Sequence, residues 1–314
     1  MSTITRTRQK TKTARWNAAG ARRSVARCLP YGCVLLGAAL WGCIGLFNRN
    51  LTALGFSAAS IVVLRNVGTA ALLALFFLLT DRSAFRIHLR HLPCFLGTGI
   101  VSVLCFTLCY FRSQQLNSLA VAAILLYTSP AFVVLLSALL FRERITGKKL
   151  LALLLAFLGC VLASGILEGG GLSLTPTGLL LGLGSGLLYA FYTIFARVAL
   201  EHYRSLVVTL YTFIFASLGS LVLLLFGWAE FPTAAFSAES ALLALGLVVL
   251  STVLPYLLYT FGLQGLGDSG KTSILASIEP VIAAIVGALA FGEPFSLGAL
   301  GGLACILASV FALR

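Results

Sequence analysis

ILLYTSPAFVVLLSALLFRERIT, which runs from Ile124 to Thr146, is a segment that this chain repeats. The second copy, ILASIEPVIAAIVGALAFGEPFS, runs from Ile274 to Ser296. Aligned without a gap, the copies share Ile124/Ile274, Leu125/Leu275, Pro130/Pro280, Ala138/Ala288, Leu139/Leu289, Phe141/Phe291 and Glu143/Glu293. These identities exceed what an apolar composition gives by chance, so they indicate an internal repeat. Each copy is a mostly apolar segment with a proline near its middle and a glutamate near its end.

The composition indicates an all-α integral membrane protein. Of the 314 residues, 60% are hydrophobic and 10% are charged, whereas a soluble domain carries about 25% charged residues. The apolar runs have the length of helices that cross a hydrocarbon core of ~30 Å, and they lack the alternation of barrel strands. Ten such segments are predicted, at residues 29–47, 58–80, 92–111, 118–141, 149–167, 175–196, 204–228, 239–262, 270–292 and 296–313.

The ten segments divide into two halves of five. Residues 29–167 form the first half and residues 168–314 the second, and an odd number of helices per half inserts the halves upside down with respect to each other. A weaker match supports the division, because the run from Trp41 to Arg49 aligns with the run from Tyr189 to Arg197. We therefore predict ten transmembrane helices as two inverted five-helix repeats, an architecture common among secondary transporters.

Lysine and arginine are concentrated on alternate loops, which predicts the orientation. One face carries the acid-free segment 1–28 and Arg82, Arg86, Arg90, Arg142, Arg144, Lys148, Lys149, Arg197, Arg204, Lys271 and Arg314, whereas the other carries Arg49 and Arg112. The positive-inside rule then predicts that both termini are cytoplasmic. The net charge of +13 follows from topology and does not indicate a nucleic-acid partner. Residues 1–28 are interpreted as a cytoplasmic basic tail near anionic lipid, and their composition also resembles an organelle transit peptide.

Two prolines and two charges inside the predicted helices are candidates for function. Pro130 and Pro280 each remove a backbone hydrogen bond near a helix centre, which favours kinks that line a central cavity and act as hinges. Glu279 is an acid deep in the membrane, at a cost of ~2.5 to 3.5 kcal/mol, and such residues mark a transport pathway or a paired structural site. Arg65 stays charged and needs water, an anion or Glu279 as its partner, unless it reaches the interface.

Polar and aromatic residues within or near the spans complete the predicted binding site. They supply hydroxyls, amides and flat rings that suit a cavity for an organic solute; they are Trp41, Asn48, Tyr110, Gln114, Tyr127, Ser129, Tyr189, Tyr192 and Tyr256. Glycines at four-residue spacing, as in Gly178, Gly182 and Gly186, favour close helix packing or a homodimer contact. No cofactor or metal site is predicted.

The segments YTSPAFVVLLSALLFRERIT and SIEPVIAAIVGALAFGEPFS, with the tryptophan of ALWG and the arginine of VVLRN, resemble the EamA family of the drug/metabolite transporter superfamily. The resemblance covers the chain after the basic tail, and it implies ten helices in two inverted repeats. It also implies that helices 1 to 4 and 6 to 9 surround the cavity, with helices 5 and 10 peripheral. Arg65, Pro130, Glu279 and Pro280 match the family pattern, and Tyr189 stands where an aromatic residue is common.

These features predict a secondary transporter in the bacterial inner (plasma) membrane that moves a small organic metabolite, an amino acid or a related compound, outward by alternating access. One alternative is a proton-coupled importer or an anion exchanger that uses Glu279 and Arg65. Another is a non-transporting membrane scaffold or receptor. Catalysis is not predicted, since the sequence has no HExxH motif, no pair of membrane-embedded aspartates, and no Ser and His that share a plausible site.

Overall fold

The computed structural model describes residues 28–117, 119–164, 166, 175–232, 237–292 and 297–313. Across these ranges the chain is helical and contains no strand. Eight helices are long and apolar enough to cross a membrane: α1 (Cys28–Ala53), α2 (Ala58–Thr80), α3 (Leu89–Leu116), α4 (Val121–Phe141), α6 (Pro176–Leu200), α7 (Ser205–Leu225), α8 (Ala238–Leu266) and α9 (Ser269–Phe291). Two shorter helices, α5 (Gly147–Ala163) and α10 (Leu297–Ala312), contain 17 and 16 residues.

Each predicted segment overlaps one of these helices, and eight of them are confirmed as candidate membrane spans. The first segment was wrong at its end, because α1 continues past residue 47 to Ala53. The Asn50 side chain donates to the Leu46 carbonyl at 2.7 Å and Thr52 donates to the Asn48 carbonyl at 2.8 Å, so these polar residues bond the preceding turn and the helix continues. The third segment was also too short at its end, because α3 continues past residue 111 to Leu116. Residues 1–27 of the predicted basic tail lie outside the described residues, and Cys28 belongs to α1.

Helices α4 and α9 are each interrupted at their centre. Helix α4 is divided into α4a (Leu119–Leu126), which begins two residues before the candidate span, and α4b (Ser129–Phe141). Helix α9 is divided into α9a (Ser269–Ala276) and α9b (Glu279–Phe291). Pro130 and Pro280 lie in the first turn of α4b and α9b. Backbone N–H groups in a first turn have no acceptor within the helix, so the missing proline N–H costs no helical hydrogen bond. The prolines therefore begin new helical segments, whereas the sequence predicted a kink within one continuous helix.

The ends of the helices define two faces of the bundle. The end of α4, the start of α5, the end of α6 and the start of α9 meet at one face, which we call the basic face. At that face α4b packs against α9a, and the end of α6 packs against α4b. The other end of the bundle, where α1 packs against α9b, is called the opposite face.

Helices α5 and α10 pack mainly against each other. Gly159 and Gly302 face each other's backbone there, and an added Cβ on Gly302 would lie 2.7 Å from the Gly159 carbonyl oxygen. The glycines of α6 also contact neighbours within the chain, with Gly182 against Leu125 and Gly186 against the Leu125 carbonyl. These glycines are used for packing inside the bundle, and the homodimer stays a prediction.

Candidate functional site

A cavity between the two halves of the chain, which we call the main cavity, has a volume of about 240 Å³ and lies in the half of the bundle away from the basic face. It is formed by the later parts of α1 and α3, the first half of α4, the second half of α9, and single residues of α2, α6 and α8. Its lining residues are Trp41, Gly42, Ile44, Gly45, Asn48, Arg65, Phe106, Thr107, Tyr110, Phe111, Leu126, Tyr127, Tyr189, Tyr256, Glu279 and Ala283. Both halves of the chain therefore contribute to one cavity.

Arg65 places a cation in the wall of this cavity. Its Nε and Nη2 atoms are buried and have no hydrogen-bond partner among the described residues. Tyr256 lies near enough to interact electrostatically with both Arg65 and Glu279, yet no ion pair joins the two charges, although the structure describes both. A buried guanidinium in this state attracts an anionic group.

Glu279 lies at the junction of two cavities. The second cavity, of about 20 Å³, is closer to the basic face and shares Trp41, Tyr127, Tyr189 and Glu279 with the main cavity. Glu279 is the first residue of α9b, so the interruption of α9 brings its carboxylate to the centre of the bundle. There the helix N-terminus stabilises a negative charge.

Aromatic rings form the floor of the main cavity. The Trp41 ring lies 5.1 Å from Tyr256 and 5.3 Å from Tyr259, between ring centroids, and 6.5 Å from Tyr189. Phe106 lies 5.1 Å from Tyr189. Edge-on aromatic contacts of this kind form a rigid, largely apolar surface that suits the body of an organic solute.

Most predicted site residues line one of the two cavities. Trp41, Asn48, Arg65, Tyr110, Tyr127, Tyr189, Tyr256 and Glu279 line the main cavity, and Ser129, Pro130 and Tyr192 line the small one. Gln114 and Pro280 line neither cavity, and Gln114 instead bonds the Tyr110 side chain. The Asn48 Oδ1 atom is buried and has no partner within the described part of the chain.

Several lining residues were not predicted from the sequence. Ser273 and Ser277 of α9, with Thr193 and Tyr259, line the small cavity, and the Thr193 and Tyr259 hydroxyls are 2.7 Å apart. The Ser277 hydroxyl is buried without a partner in the described ranges. Ser273 and Ser277 are four residues apart, so in a helix they would lie on the same face, and Ser277 is two residues before Glu279. This spacing could have identified the two serines from the sequence.

Comparison with known proteins agrees with this architecture. A profile of the EamA-like transporter family matches residues 29–165 and 176–314. An uncharacterized transporter of Archaeoglobus fulgidus is 33% identical over 295 residues, which cover 90% of this chain and 96% of the relative. The uncharacterized inner membrane transporter YicL of Salmonella typhimurium is 29% identical over 280 residues, which cover 88% and 92%.

A solved crystal structure of another protein shares the fold. Its TM-score is 0.75 at 20% identity, and the match covers 93% of this chain and 96% of that one. The relatives and the family indicate a multi-pass membrane transporter rather than an enzyme. Both halves of the chain match the family separately. The chain belongs to the EamA-like transporter family.

Proposed function

We propose that the protein is a secondary carrier that moves an amino acid or a similar zwitterionic metabolite across the membrane, outward and by alternating access. The observation that carries the proposal is the presence of Arg65 and Glu279 as separate charges in the wall of one cavity, with no ion pair between them. Buried charges are costly unless they are paired. A ligand that carries both charges satisfies both residues at once.

The chemistry of the cavity assigns an orientation to such a ligand. Its carboxylate would bind the Arg65 guanidinium, and its ammonium group would approach Glu279, with Tyr256 near both residues. The rings of Trp41 and Tyr189 would contact the ligand side chain. A simple amine or a simple carboxylic acid would leave one of the two protein charges without a partner.

The proposed topology has ten membrane-crossing helices in two inverted repeats. Two contacts support it: the end of α4 lies beside the start of α9, where the Ser269 N–H donates to Glu143 at 2.9 Å, and the end of α1 lies beside α9b. With the positive-inside rule, the basic face is cytoplasmic and both termini are in the cytoplasm of a cell whose inner membrane holds the carrier. The main cavity then lies on the external side.

A thermal-shift screen of the purified protein in detergent tests the ligand class. Amino acids, amines, organic acids and nucleotides are compared, because a ligand of the folded state raises its apparent stability. We expect a shift with an amino acid, and loss of that shift in Arg65→Ala and Glu279→Gln. Arg112→Ala and Glu239→Gln are matched controls, because both residues are exposed and outside the cavity.

Equal shifts with an amino acid and with the amine or acid that lacks one of its charges would contradict the zwitterion assignment. Counterflow of the same compound in proteoliposomes then separates a carrier from a receptor. A carrier exchanges labelled ligand for unlabelled ligand across the bilayer. Binding without counterflow would contradict the carrier and favour a receptor.

Proton coupling is a second candidate property. Glu279 borders both cavities, and Ser273 and Ser277 continue from it toward the basic face. If a proton on Glu279 drives transport, an imposed pH gradient should drive uptake in wild-type proteoliposomes, and Glu279→Gln, which loses both the proton site and the proposed ligand contact, should show no gradient-driven uptake. Flux in the wild type that is independent of the gradient would exclude this version and leave exchange as the mode of transport.

A further inference from the structure

One contact occurs twice in the molecule, once at each face. At the basic face the Arg197 guanidinium lies over the Phe141 ring, 4.8 Å from its centroid, and at the opposite face Arg49 lies over Phe291 at 4.1 Å. In the repeat register Arg49 is the equivalent of Arg197, and Phe141 is the equivalent of Phe291. Each pair therefore joins one repeat to the other, with the roles of the repeats exchanged.

The contact at the basic face is reinforced by Glu143, two residues after Phe141. Its Oε1 atom accepts from Arg197 Nη1 at 2.5 Å and from the Ser269 N–H at 2.9 Å. Arg197 Nη1 also donates to the Gly267 carbonyl at 2.8 Å. The Glu143 side chain is 9% exposed and that of Arg197 is 23% exposed, so this cluster connects the ends of α4 and α6 to the start of α9 around a largely buried carboxylate.

Lys149 extends the same cluster to a second acid. Its Nζ atom lies 2.9 Å from Asp268 Oδ1 and 3.4 Å from Glu143 Oε2, and its side chain is 4% exposed. In the repeat register the equivalents of Lys149 and Asp268 are Ala299 and Ser118. Lys149 and Asp268 can therefore form the second ion pair at the basic face, whereas their equivalents in the repeat register are uncharged.

We propose that the two Arg–Phe contacts are the alternating gates of the carrier, and that Glu143 is the residue that keeps the basic-face gate closed in this conformation. The inference rests on the proposed carrier function. Opening toward the basic face requires Arg197 and the start of α9 to leave Glu143, whereas opening toward the opposite face requires Arg49 to leave Phe291. The additional ion pair biases the protein toward a closed basic face. Both Arg–Phe contacts are formed in this conformation, and the cavity that contains Arg65 and Glu279 lies in the other half.

Hydrogen–deuterium exchange of the full chain in lipid nanodiscs, without ligand, tests the gates. Glu143→Gln should raise exchange several-fold in residues 269–276 and lower it in residues 44–53. The decrease is the decisive readout, since a population that opens to the basic face must spend less time open to the opposite face. Arg49→Gln should give the reverse pattern, and Glu201→Gln, an exposed acid at the same face, should change neither segment.

Faster exchange at both faces in Glu143→Gln, or a rise in residues 269–276 with no change in residues 44–53, would overturn the proposal, because a merely structural role predicts those results. A variant that is merely unstable would exchange faster at both faces, so the reverse pattern in Arg49→Gln distinguishes the gates from a loss of stability. Because no substrate is present, this outcome is independent of the ligand screen. A protein that binds no amino acid can still show alternating gates, and a carrier of amino acids can lack them.

Discussion

The two interrupted helices have similar sequences but different surroundings at the two faces. At the basic face α9a buries almost every residue and α4b buries five. At the opposite face α9b, the equivalent of α4b, buries only Val281 and Gly287. Since equivalent segments differ in burial, the asymmetry comes from how the two copies pack against each other. An exchange of these two environments is the simplest second conformation that the same sequence could adopt.

Two of the positions that differ between the repeats carry a charge in one copy only. Glu279 occupies the position equivalent to Ser129, and Lys149 the position equivalent to Ala299. Apolar positions tolerate either environment, whereas an unpaired charge makes one environment costly. The apolar residues of the repeat therefore permit two conformations, and the charged residues that occur in one copy only select between them.

Lys149→Met should have the largest effect on stability. The substitution leaves Glu143 and Asp268 as two nearby acids without their shared cation, and removing one partner of a buried ion pair costs about 3–5 kcal/mol. The free energy of unfolding, measured by denaturant titration in mixed micelles, should fall by that amount. Lys148→Met is the control, because Lys148 is exposed. Equal losses in the two variants would mean that the cluster does not hold the basic face.

Arg65→Ala should weaken ligand binding by about 2–5 kcal/mol, as expected when one partner of a buried charge pair is truncated. Isothermal titration with the amino acid found in the screen measures this change. Arg112→Ala should bind normally, since its guanidinium donates to Gln115 outside the cavity at 2.7 Å. Unchanged affinity in Arg65→Ala would mean that the ligand carboxylate does not bind Arg65.

The sequence predicted the parts of the molecule that depend on local pattern. Hydropathy located the helices, the repeat located Pro130 and Pro280, and isolated charge located Arg65 and Glu279. The sequence predicted kinks where α4 and α9 are interrupted. A proline shows where a helical hydrogen bond is missing, but it does not show how far the chain departs from a helix there. The π-helical turns at Gly97–Cys105 and Val249–Val253 were also missed, since an extra residue per turn leaves no mark on hydropathy.

The ion-pair cluster was missed for a different reason. Glu143, Lys149, Arg197 and Asp268 lie at four helix ends, and in the sequence they appear as ordinary charged loops that set the topology. The repeat drew attention to Glu143 only as an identity with Glu293, which lies outside the described residues. Their convergence depends on the packing of α4b against α9a, and that tertiary contact is not encoded by spacing along the chain.

Gly42→Ala tests the close contact of α1 with α9b at the opposite face. An added Cβ would lie 2.7 Å from Ile282 Cβ and 2.8 Å from the Glu279 carbonyl oxygen. Overpacking of this kind costs about 1–3 kcal/mol in the free energy of unfolding. Gly45→Ala, whose Cβ would meet no atom within 4 Å, should be neutral or slightly stabilising because alanine favours the helix. A neutral Gly42→Ala would show that this face is loosely packed.

Arg49→Gln should change stability much less than Lys149→Met. Arg49 is exposed, and an exposed cation–π contact contributes about 0.5–1 kcal/mol. Because Arg49 makes a further interaction besides this contact, the same mixed-micelle titration should show a loss of about 1–2 kcal/mol, still below that of Lys149→Met. A loss as large as that of Lys149→Met would mean that the contacts at the two faces stabilise the protein equally. The ion pairs would then not explain why the two faces differ in burial.

The smallest effect is expected from pH. Burial alone would raise the pKa of Asp268, but hydrogen bonds from the Lys271 N–H and from Lys149, both at 2.9 Å, outweigh burial, so its pKa lies below the ordinary value of 3.8. A carboxyl with a lowered folded-state pKa contributes stability that is fully present above its unfolded pKa and is lost as pH falls through the folded pKa. Protection of residues 269–276, corrected for intrinsic exchange, should therefore be constant between about pH 8 and pH 5 and fall only below about pH 4. A loss of protection near neutral pH would mean that a group other than Asp268 controls the basic face, and Glu279, the first residue of α9b, would be the first residue to replace.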